Sequence, residues 1–489
     1  MAGIGFELKK LFDRRTLTGH AMAYGYSAVI TAGPFALLAA MVFAIQLLFS
    51  GYGISEEESR LYIGSVVYVF IFSQLVSCGF ATMITRYLAD CLYEGKYDNL
   101  TASCYGIILL AQMTGALLAL VFYSDKPLDM HLKLITYVFF MEMIAMWIQM
   151  VYLTALKDYK TIFLSYLSGA VVSIGLAWLN LHLGFFEPVA GTLLAMSIGT
   201  GGLVLGLMVQ IGGYFGFSAD GMNFEFLPYF EKHGRLFLIM LCYNLSLYAA
   251  NFFVWQGDWG EMVAGTYLFS PRYDVITFYA FLSVLPSMIM FVVSMELKFY
   301  EQYAVYFTYI TQKGNFQEVD ASRKDLLQTL WSEFKNIMEL QLVFSLMFLA
   351  AGSYILSLGG IGYQDVNIYR VLVLAAFFCA IMQVIYILLL YLEDQRGAML
   401  ITAGFLLANL ILGMIGCIVG EISYGFTLFL AAVFACGVAL WRLQYFCRRI
   451  NYYVFCSRPV FLEAPHGIFA KIAARLYGRR IIRERREES

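Results

Sequence analysis

The sequence predicts an all-α polytopic membrane protein with about twelve transmembrane helices in two six-helix bundles. Its composition and its long apolar runs both support this fold class. Apolar residues make up 61% of the 489 residues and charged residues only 13%. Soluble domains carry about 25% charged residues, so this chain has too little charge to cover a water-facing surface.

Twelve stretches are long and apolar enough to cross a bilayer, which takes about 20 residues. They are continuously apolar rather than alternating, and this pattern favours helices over the strands of a barrel. The predicted spans are 21–50, 61–85, 102–124, 134–155, 162–183, 189–213, 236–256, 274–297, 337–358, 371–392, 398–419 and 424–441.

The basic residues predict the orientation of these spans. If the N-terminus is cytoplasmic, 27 of the 32 lysines and arginines lie in cytoplasmic segments. Positive residues concentrate on the inner side of membrane proteins. We therefore expect both termini to be cytoplasmic and the chain to be a multi-pass protein of the inner, cytoplasmic membrane. The first apolar run lacks a small-residue cleavage site and is expected to belong to the mature protein.

Loop positions and the helix count suggest a domain division, although no internal sequence repeat supports it. The C-terminal tail places apolar residues at helical spacing among lysines and arginines. This pattern is typical of a helix resting on anionic lipid, with docking to another protein as the alternative. The predicted parts are a cytoplasmic N-terminal segment 1–20, a six-helix bundle 21–213, a cytoplasmic linker 214–235, a second six-helix bundle 236–441 with a cytoplasmic loop 298–336, and a basic cytoplasmic tail 442–489.

The soluble segments are too short to form a catalytic domain, and no GxxxxGK[ST] loop is present to bind a nucleotide. The five histidines are scattered without metal-ligand spacing. We therefore predict neither enzyme activity nor a cofactor or metal site. The net charge of −2 gives no reason to expect nucleic acid as a partner. Four glycines in the sixth span are expected to allow close helix packing: Gly199, Gly201, Gly202 and Gly206. Transport is the function that remains.

Glu142 is the clearest candidate for a residue on a transport path. It lies near the middle of the fourth predicted span, between methionines and phenylalanines. A charge at the bilayer centre costs about 2.5–3.5 kcal/mol, so such a residue usually faces a cavity. The alternative is a protonated carboxyl that hydrogen-bonds a neighbouring helix for packing.

Charged residues at helix ends form a second set of path candidates. Arg272 and Asp274 open the eighth span and Glu296 closes it, although charges at such positions often only anchor the helix at the membrane interface. Arg86 lies one turn from Asp90, where a plain ion pair is the simpler interpretation.

Asparagines and helix breaks complete the candidate set. Asn244 and Asn251 lie seven residues apart on the seventh helix and face the same way, so they could bind hydroxyl groups or bridge helices. Gly33 and Pro34 in the first span and Pro286 in the eighth interrupt backbone hydrogen bonding and are candidate hinges.

The loop 298–336 is the largest candidate for a docking surface. Its start is rich in aromatic residues and is expected to continue as a helix on the membrane surface. Its second half places Leu326, Leu330 and Trp331 at helical spacing among polar residues. We expect these three side chains to contact cytoplasmic partners.

Seven segments of the chain together match the pattern of one known family: 1–11 (MAGIGFELKKL), 23–26, 32–34, 85–95, 156–159, 273–274 and 295–303. They resemble the PelG family, the membrane transporters of Pel exopolysaccharide systems. The resemblance covers residues 1 to about 455 in outline, and the basic tail beyond about 460 is not part of it.

This resemblance implies a member of the multidrug/oligosaccharidyl-lipid/polysaccharide (MOP) flippase superfamily, with two six-helix bundles around a central cavity and alternating access. It further implies export of a polysaccharide rich in N-acetylgalactosamine. The implied partners are a cytosolic glycosyltransferase (PelF-like), a cyclic di-GMP receptor (PelD-like) and a scaffold subunit (PelE-like). It does not assign binding residues.

Three other functions stay open at this point. Two are a flippase for lipid-linked oligosaccharide and a cation-coupled antiporter of small amphiphiles. A pyrophosphate-carrying substrate would call for several arginines on the path, and only Arg86 and Arg272 are candidates, which favours a neutral glycan. The third is a membrane scaffold that transports nothing, although such a protein would not need Glu142 at mid-membrane.

Overall fold

The computed structural model describes residues 17–156, 159–216, 222–311, 314–358, 362, 365–455 and 467–487. Within these residues, twelve segments are helical, long and apolar enough to cross a membrane. The prediction of an all-α protein with twelve spans is therefore confirmed.

The helices follow one another with short connections. They are α1 Leu17–Gly51, α2 Glu56–Glu94, α3 Leu100–Tyr123, α4 Met130–Leu156, α5 Tyr159–Leu183, α6 Pro188–Phe215, α7 Leu227–Trp255, α8 Pro271–Phe281, α9 Leu285–Ser294, α10 Tyr300–Thr311, α11 Phe316–Leu358, α12 Val366–Tyr391, α13 Gln395–Val419, α14 Phe426–Arg448, α15 Ile450–Phe455 and α16 Ile468–Glu487.

Local sequence signals explain where several helices begin and end. Ser55 and Glu58 form a capping box at the start of α2, in which each side chain satisfies the other residue's backbone amide. Gly95 ends the same helix at φ +73°, a left-handed conformation that glycine adopts without a steric penalty. The side chain of Asp394 caps α13 by accepting from the Gly397 amide.

The chain divides into two compact units. The N-unit comprises the described residues of 35–248, 261–268 and 459–489, and the C-unit those of 1–34, 249–260 and 269–458. Within the N-unit, α4 packs against α2, α3 and α6, and α5 packs along α6. Within the C-unit, α12 is the most deeply buried span and packs against α8, α11, α13 and α14. The predicted bundle boundaries stay a prediction.

A short hairpin connects α7 to α8. Its strands are β1 Glu261–Val263 and β2 Tyr267–Phe269, paired in a two-stranded sheet. Tyr68 of α2 fixes the hairpin, because its hydroxyl donates to the Leu268 carbonyl at 2.9 Å and accepts from the Leu268 amide at 3.1 Å. Strands of three residues leave no periodicity in the sequence, so the hairpin was not predicted.

The eighth span is not one regular helix. A 3-10 turn at Leu282–Val284 separates α8 from α9, and a π turn at Met295–Phe299 follows α9. Pro286 lies in the first turn of α9, where a backbone N–H would have no partner within the helix, so its missing N–H costs no hydrogen bond. Gln341 of α11 donates to the Ser283 carbonyl at 3.3 Å and accepts from the Ser287 hydroxyl, so a neighbouring helix satisfies polar groups at the break.

The first span behaves differently, since α1 continues as a helix through Gly33 and Pro34. The hinge role of these residues and of Pro286 stays a prediction.

The described residues of the segment 298–336 are mostly helical, as its helical spacing predicted. It contains α10 and the first half of α11, a single helix of 43 residues that continues into the ninth span. At a rise of about 1.5 Å per residue, α11 is about 65 Å long. Similarly, α14 continues to Arg448 rather than ending at residue 441, so Arg442 lies inside a helix and not in a tail.

Candidate functional site

Glu142 lies near the centre of α4, as predicted, and its carboxyl contacts α6. The Ser197 hydroxyl donates to one carboxyl oxygen at 2.9 Å. The other oxygen lies beside Gly201, where an added Cβ would come within 2.9 Å of it. Within the described part of the chain, Glu142 forms no ion pair. The site therefore consists of a half-buried carboxyl, one hydroxyl donor and a glycine that leaves room for it.

Two glutamines extend this polar contact between spans. Gln149 lies two turns after Glu142 on the same face of α4 and donates to the Val204 carbonyl of α6 at 3.1 Å. Gln112 of α3 donates to the Met141 carbonyl at 3.1 Å. The segment around Glu142 is thus fixed to helices on two sides.

This arrangement suits a group that exchanges a proton or a cation. A carboxyl within a span that has no cationic partner is stable when it is protonated, and it attracts a cation when it is not. A hydroxyl donor can stay bonded to either form, because a carboxyl oxygen accepts in both.

The glycines of the sixth span have different roles. Gly199 lies against Gly169 and Ser173 of α5, where a side chain would overlap both residues. Close packing is therefore confirmed there and at Gly201. Gly202 and Gly206 have no atom within 4 Å of an added Cβ, so the expectation of close packing is wrong for them.

Asp274 belongs to a compact cluster in the C-unit. Asn251 donates to its carboxyl at 2.7 Å, and the Trp255 indole donates at 3.0 Å. Asn251 and Trp255 lie one turn apart near the end of α7, and Asp274 lies in the first turn of α8, where a negative charge is favourable. These contacts fix the end of α7 to the start of α8, as the helix-bridging interpretation of Asn251 expects.

Arg272 forms a bidentate ion pair with Asp365, with its Nε 2.7 Å from one carboxyl oxygen. Its guanidinium also lies 3.9 Å from the centroid of the Trp259 ring. A bidentate pair beside an aromatic ring holds the arginine in one orientation. The geometry supports the interpretation of Arg272 as a helix-end anchor rather than a substrate ligand.

The other predicted path residues do not converge on one site. Arg86 pairs with Asp90 at 3.3 Å, as the simpler interpretation expects, and Asp90 also accepts from the Tyr229 hydroxyl. Asn244 donates to the Met240 carbonyl of its own helix at 2.9 Å. The side chain of Glu296 lies outside the described residues.

The predicted docking residues differ in exposure. Leu326 is fully buried and Leu330 is 2% exposed, whereas Trp331 is 38% exposed. The two leucines lie on the inner side of α11, which packs against α10. The expectation that all three side chains contact partners is therefore wrong for Leu326 and Leu330, which are buried within the protein, and of the three only Trp331 is accessible.

Sequence reasoning missed a buried carboxyl in the same region. Glu333 accepts from Lys298 at 2.6 Å and from Ser294 at 2.8 Å. Lys298 and Glu333 also border a polar groove of about 460 Å³ that is lined by the π turn, α10 and α11. Glu333 is one of several charged residues in the polar half of 298–336, so nothing in the sequence marked it as a residue that packs against another helix.

The N-unit also contains an apolar cavity of about 480 Å³ between α2, α3, α4 and α7. Few hydrogen-bonding groups line it, so it suits acyl chains better than bare sugars. Its aromatic lining consists of Tyr68, Phe72, Phe80, Phe122, Tyr123, Phe140 and Phe237.

Solved structures with the same architecture identify the fold. The MATE transporter VcmN of Vibrio cholerae, in its bent form, aligns with a TM-score of 0.59 at 14% identity, covering 92% of this chain and 99% of that one. A MOP superfamily transporter from Pyrococcus furiosus aligns with a TM-score of 0.57 at 13% identity, covering 87% and 96%. The chain therefore has the transporter fold of the MOP superfamily.

The family follows from the sequence. The family model "PelG: Putative exopolysaccharide Exporter (EPS-E)" matches residues 1–455, and the chain belongs to the PelG family. Among curated proteins, none is similar enough to count as a match. The resemblance predicted from the sequence is confirmed, and the protein is a multi-pass membrane protein of an exporter family.

Proposed function

We propose that this protein exports a Pel-type polysaccharide rich in N-acetylgalactosamine by alternating access, and that Glu142 is a protonatable group on the transport path. The family match over residues 1–455 is the observation that supports export of an exopolysaccharide. The composition of the polymer rests on the resemblance to Pel systems. The fold shared with MOP superfamily transporters supports a flippase-like mechanism rather than catalysis.

The role of Glu142 rests on its surroundings. It lies mid-span, accepts from Ser197 and has no cationic partner among the described residues. Asp274, in contrast, has two strong donors and a favourable helix N-terminus, so we assign it a structural role.

A lipid-linked glycan is the second candidate substrate, favoured by the apolar cavity of the N-unit. A volume of about 480 Å³ would accommodate part of an acyl chain, while the sugar remained among polar groups. In this case export would depend on a lipid carrier.

The proposed partners are a PelF-like glycosyltransferase, a PelD-like receptor for cyclic di-GMP and a PelE-like scaffold. The exposed part of α11 around Trp331 is the surface that we assign to them, since Leu326 and Leu330 are buried. An export complex would deliver the polymer to the cytoplasmic side of the transporter.

The test is to express the chain with these partners and to measure polymer inside and outside the cell with a lectin for N-acetylgalactosamine. Polymer should reach the outside only when the chain is present. Glu142→Gln keeps the acceptor for Ser197 but cannot titrate, so it should abolish most export at unchanged expression. Glu339→Gln, at an exposed ion pair with Lys335, is the matched control and should export normally.

Each alternative outcome has a defined meaning. Equal polymer outside in the absence of the chain would refute the substrate and favour an antiporter of small amphiphiles. Normal export by Glu142→Gln would assign Glu142 to packing and would remove the argument against a scaffold. Polymer recovered in the lipid extract of cells that lack the chain would favour the lipid-linked substrate.

A further inference from the structure

The C-terminal helix α16 docks onto the start of α7 within the N-unit. The backbone amides of Gly467, Phe469 and Ala470 donate to the Glu231 carboxylate at 2.9, 2.5 and 3.3 Å. The first amides of a helix lack partners within the helix, and a negative charge there is favourable. Glu231 therefore caps α16 from another helix.

Further contacts define which face of α16 is docked. The Phe224 amide donates to the Tyr477 hydroxyl at 3.3 Å, and the rings of Phe230 and Phe469 lie 5.6 Å apart. Ala473 lies between Phe469 and Tyr477 on the helix and is only 3% exposed. The docked face thus repeats every four residues over two turns.

The remaining faces of α16 are apolar and basic. Ile468, Ile472 and Leu476 form a stripe at four-residue spacing and are 74%, 41% and 56% exposed. Lys471 and Arg475 flank this stripe on the side away from Ala473, and both are exposed. The sequence places five more arginines between residues 479 and 486.

The docking site places this surface close to the bilayer. Glu231 lies five residues before Leu236, where the apolar run of α7 begins. The backbone between them departs from helical geometry at His233 (φ −125°). Five residues reach at most about 18 Å even when fully extended, so the start of α16 lies close to the lipid headgroups. An apolar stripe flanked by basic residues at this level is the pattern of helices that bind membrane surfaces.

We propose that α16 binds an anionic lipid surface and thereby holds residues 222–235 against the membrane, with Glu231 as its cap. The negative surface of a cytoplasmic leaflet attracts such basic segments. The match to the PelG family ends at residue 455, so α16 lies beyond the part that the family shares. The proposal does not depend on which substrate is exported.

The experiment is hydrogen–deuterium exchange of the full chain in nanodiscs of phosphatidylcholine, with or without phosphatidylglycerol. Phosphatidylglycerol should slow exchange of the amides of 468–478. Each basic residue near an anionic surface contributes about fivefold to binding (~1 kcal/mol), so Lys471→Gln with Arg475→Gln should remove up to about 25-fold of this protection. Lys324→Gln with Lys335→Gln, two exposed lysines of α11, is the charge-matched control and should retain it.

Glu231→Gln separates docking from lipid binding. It should speed exchange of the first turn of α16 in both lipid mixtures, while the effect of phosphatidylglycerol persists. Equal exchange of the wild-type helix in the two mixtures would overturn the proposal. An undiminished lipid effect in the double variant Lys471→Gln/Arg475→Gln would overturn it as well.

Discussion

The buried ion pair between Asp394 and Arg442 permits a quantitative test of the C-unit. Arg442 donates to both carboxyl oxygens, at 2.7 and 2.9 Å, and the two side chains are 14% and 4% exposed. Removing one partner of a buried pair leaves an uncompensated charge, which costs about 3–5 kcal/mol. Asp394 also caps α13 through the Gly397 amide, and losing a cap costs about 1 kcal/mol. Asp394→Ala should therefore lower the free energy of unfolding by about 4–6 kcal/mol.

Replacing both partners should cost less than replacing Asp394 alone. In the double variant Asp394→Ala/Arg442→Met no charge is left buried, and we expect a coupling energy of up to about 3 kcal/mol. The free energy can be measured by equilibrium unfolding in mixed micelles with increasing dodecyl sulfate. The exposed pair Lys335–Glu339 is the control, because Glu339→Ala should cost at most about 1 kcal/mol. A cost of at most about 1 kcal/mol for Asp394→Ala would refute the reasoning. So would a double variant whose cost equals the sum of the costs of the two single substitutions.

Two further predictions concern packing and docking. Gly106→Ala should reduce the yield of folded protein in size-exclusion profiles, because its Cβ would overlap the Asn223 carbonyl, and a backbone atom cannot move aside as the end of a side chain can. Gly202→Ala has open space around its Cβ and should leave this yield unchanged. Trp331→Ser should weaken co-purification with the PelF-like or PelD-like partner, while Phe316→Ser, at an exposed position of the same helix, should not. Normal folding of Gly106→Ala, or an unchanged complex with Trp331→Ser, would contradict these expectations.

The sequence was sufficient to locate the spans, because about 20 continuous apolar residues have no stable place in water. The third predicted span, 102–124, nearly coincides with α3 at Leu100–Tyr123. Helix ends were harder to predict. Polar residues continue α2 as far as Glu94, and hydropathy does not detect a helix that leaves the membrane.

The candidate site could be predicted only in part from the sequence. A single carboxyl within an apolar run marked Glu142. Its partner Ser197 lies 55 residues away, and only the packing of α4 against α6 brings the two together. Helical spacing correctly grouped Leu326 and Leu330, but it could not show whether they face solvent or the interior of the protein. An apolar stripe predicts that one face of a helix is packed, but not which element packs against it.

The length of α11 has a mechanical consequence. About 20 residues suffice to cross the bilayer, so roughly half of this 43-residue helix projects beyond it as a direct continuation of the ninth span. An uninterrupted helix is far stiffer than a loop, and the described residues of α11 include no proline or break that would absorb a tilt. Trp331 lies only six residues before the ninth span, about 9 Å along the helix axis. Force applied by a partner there would therefore tilt the ninth span as a rigid body, without an intervening joint.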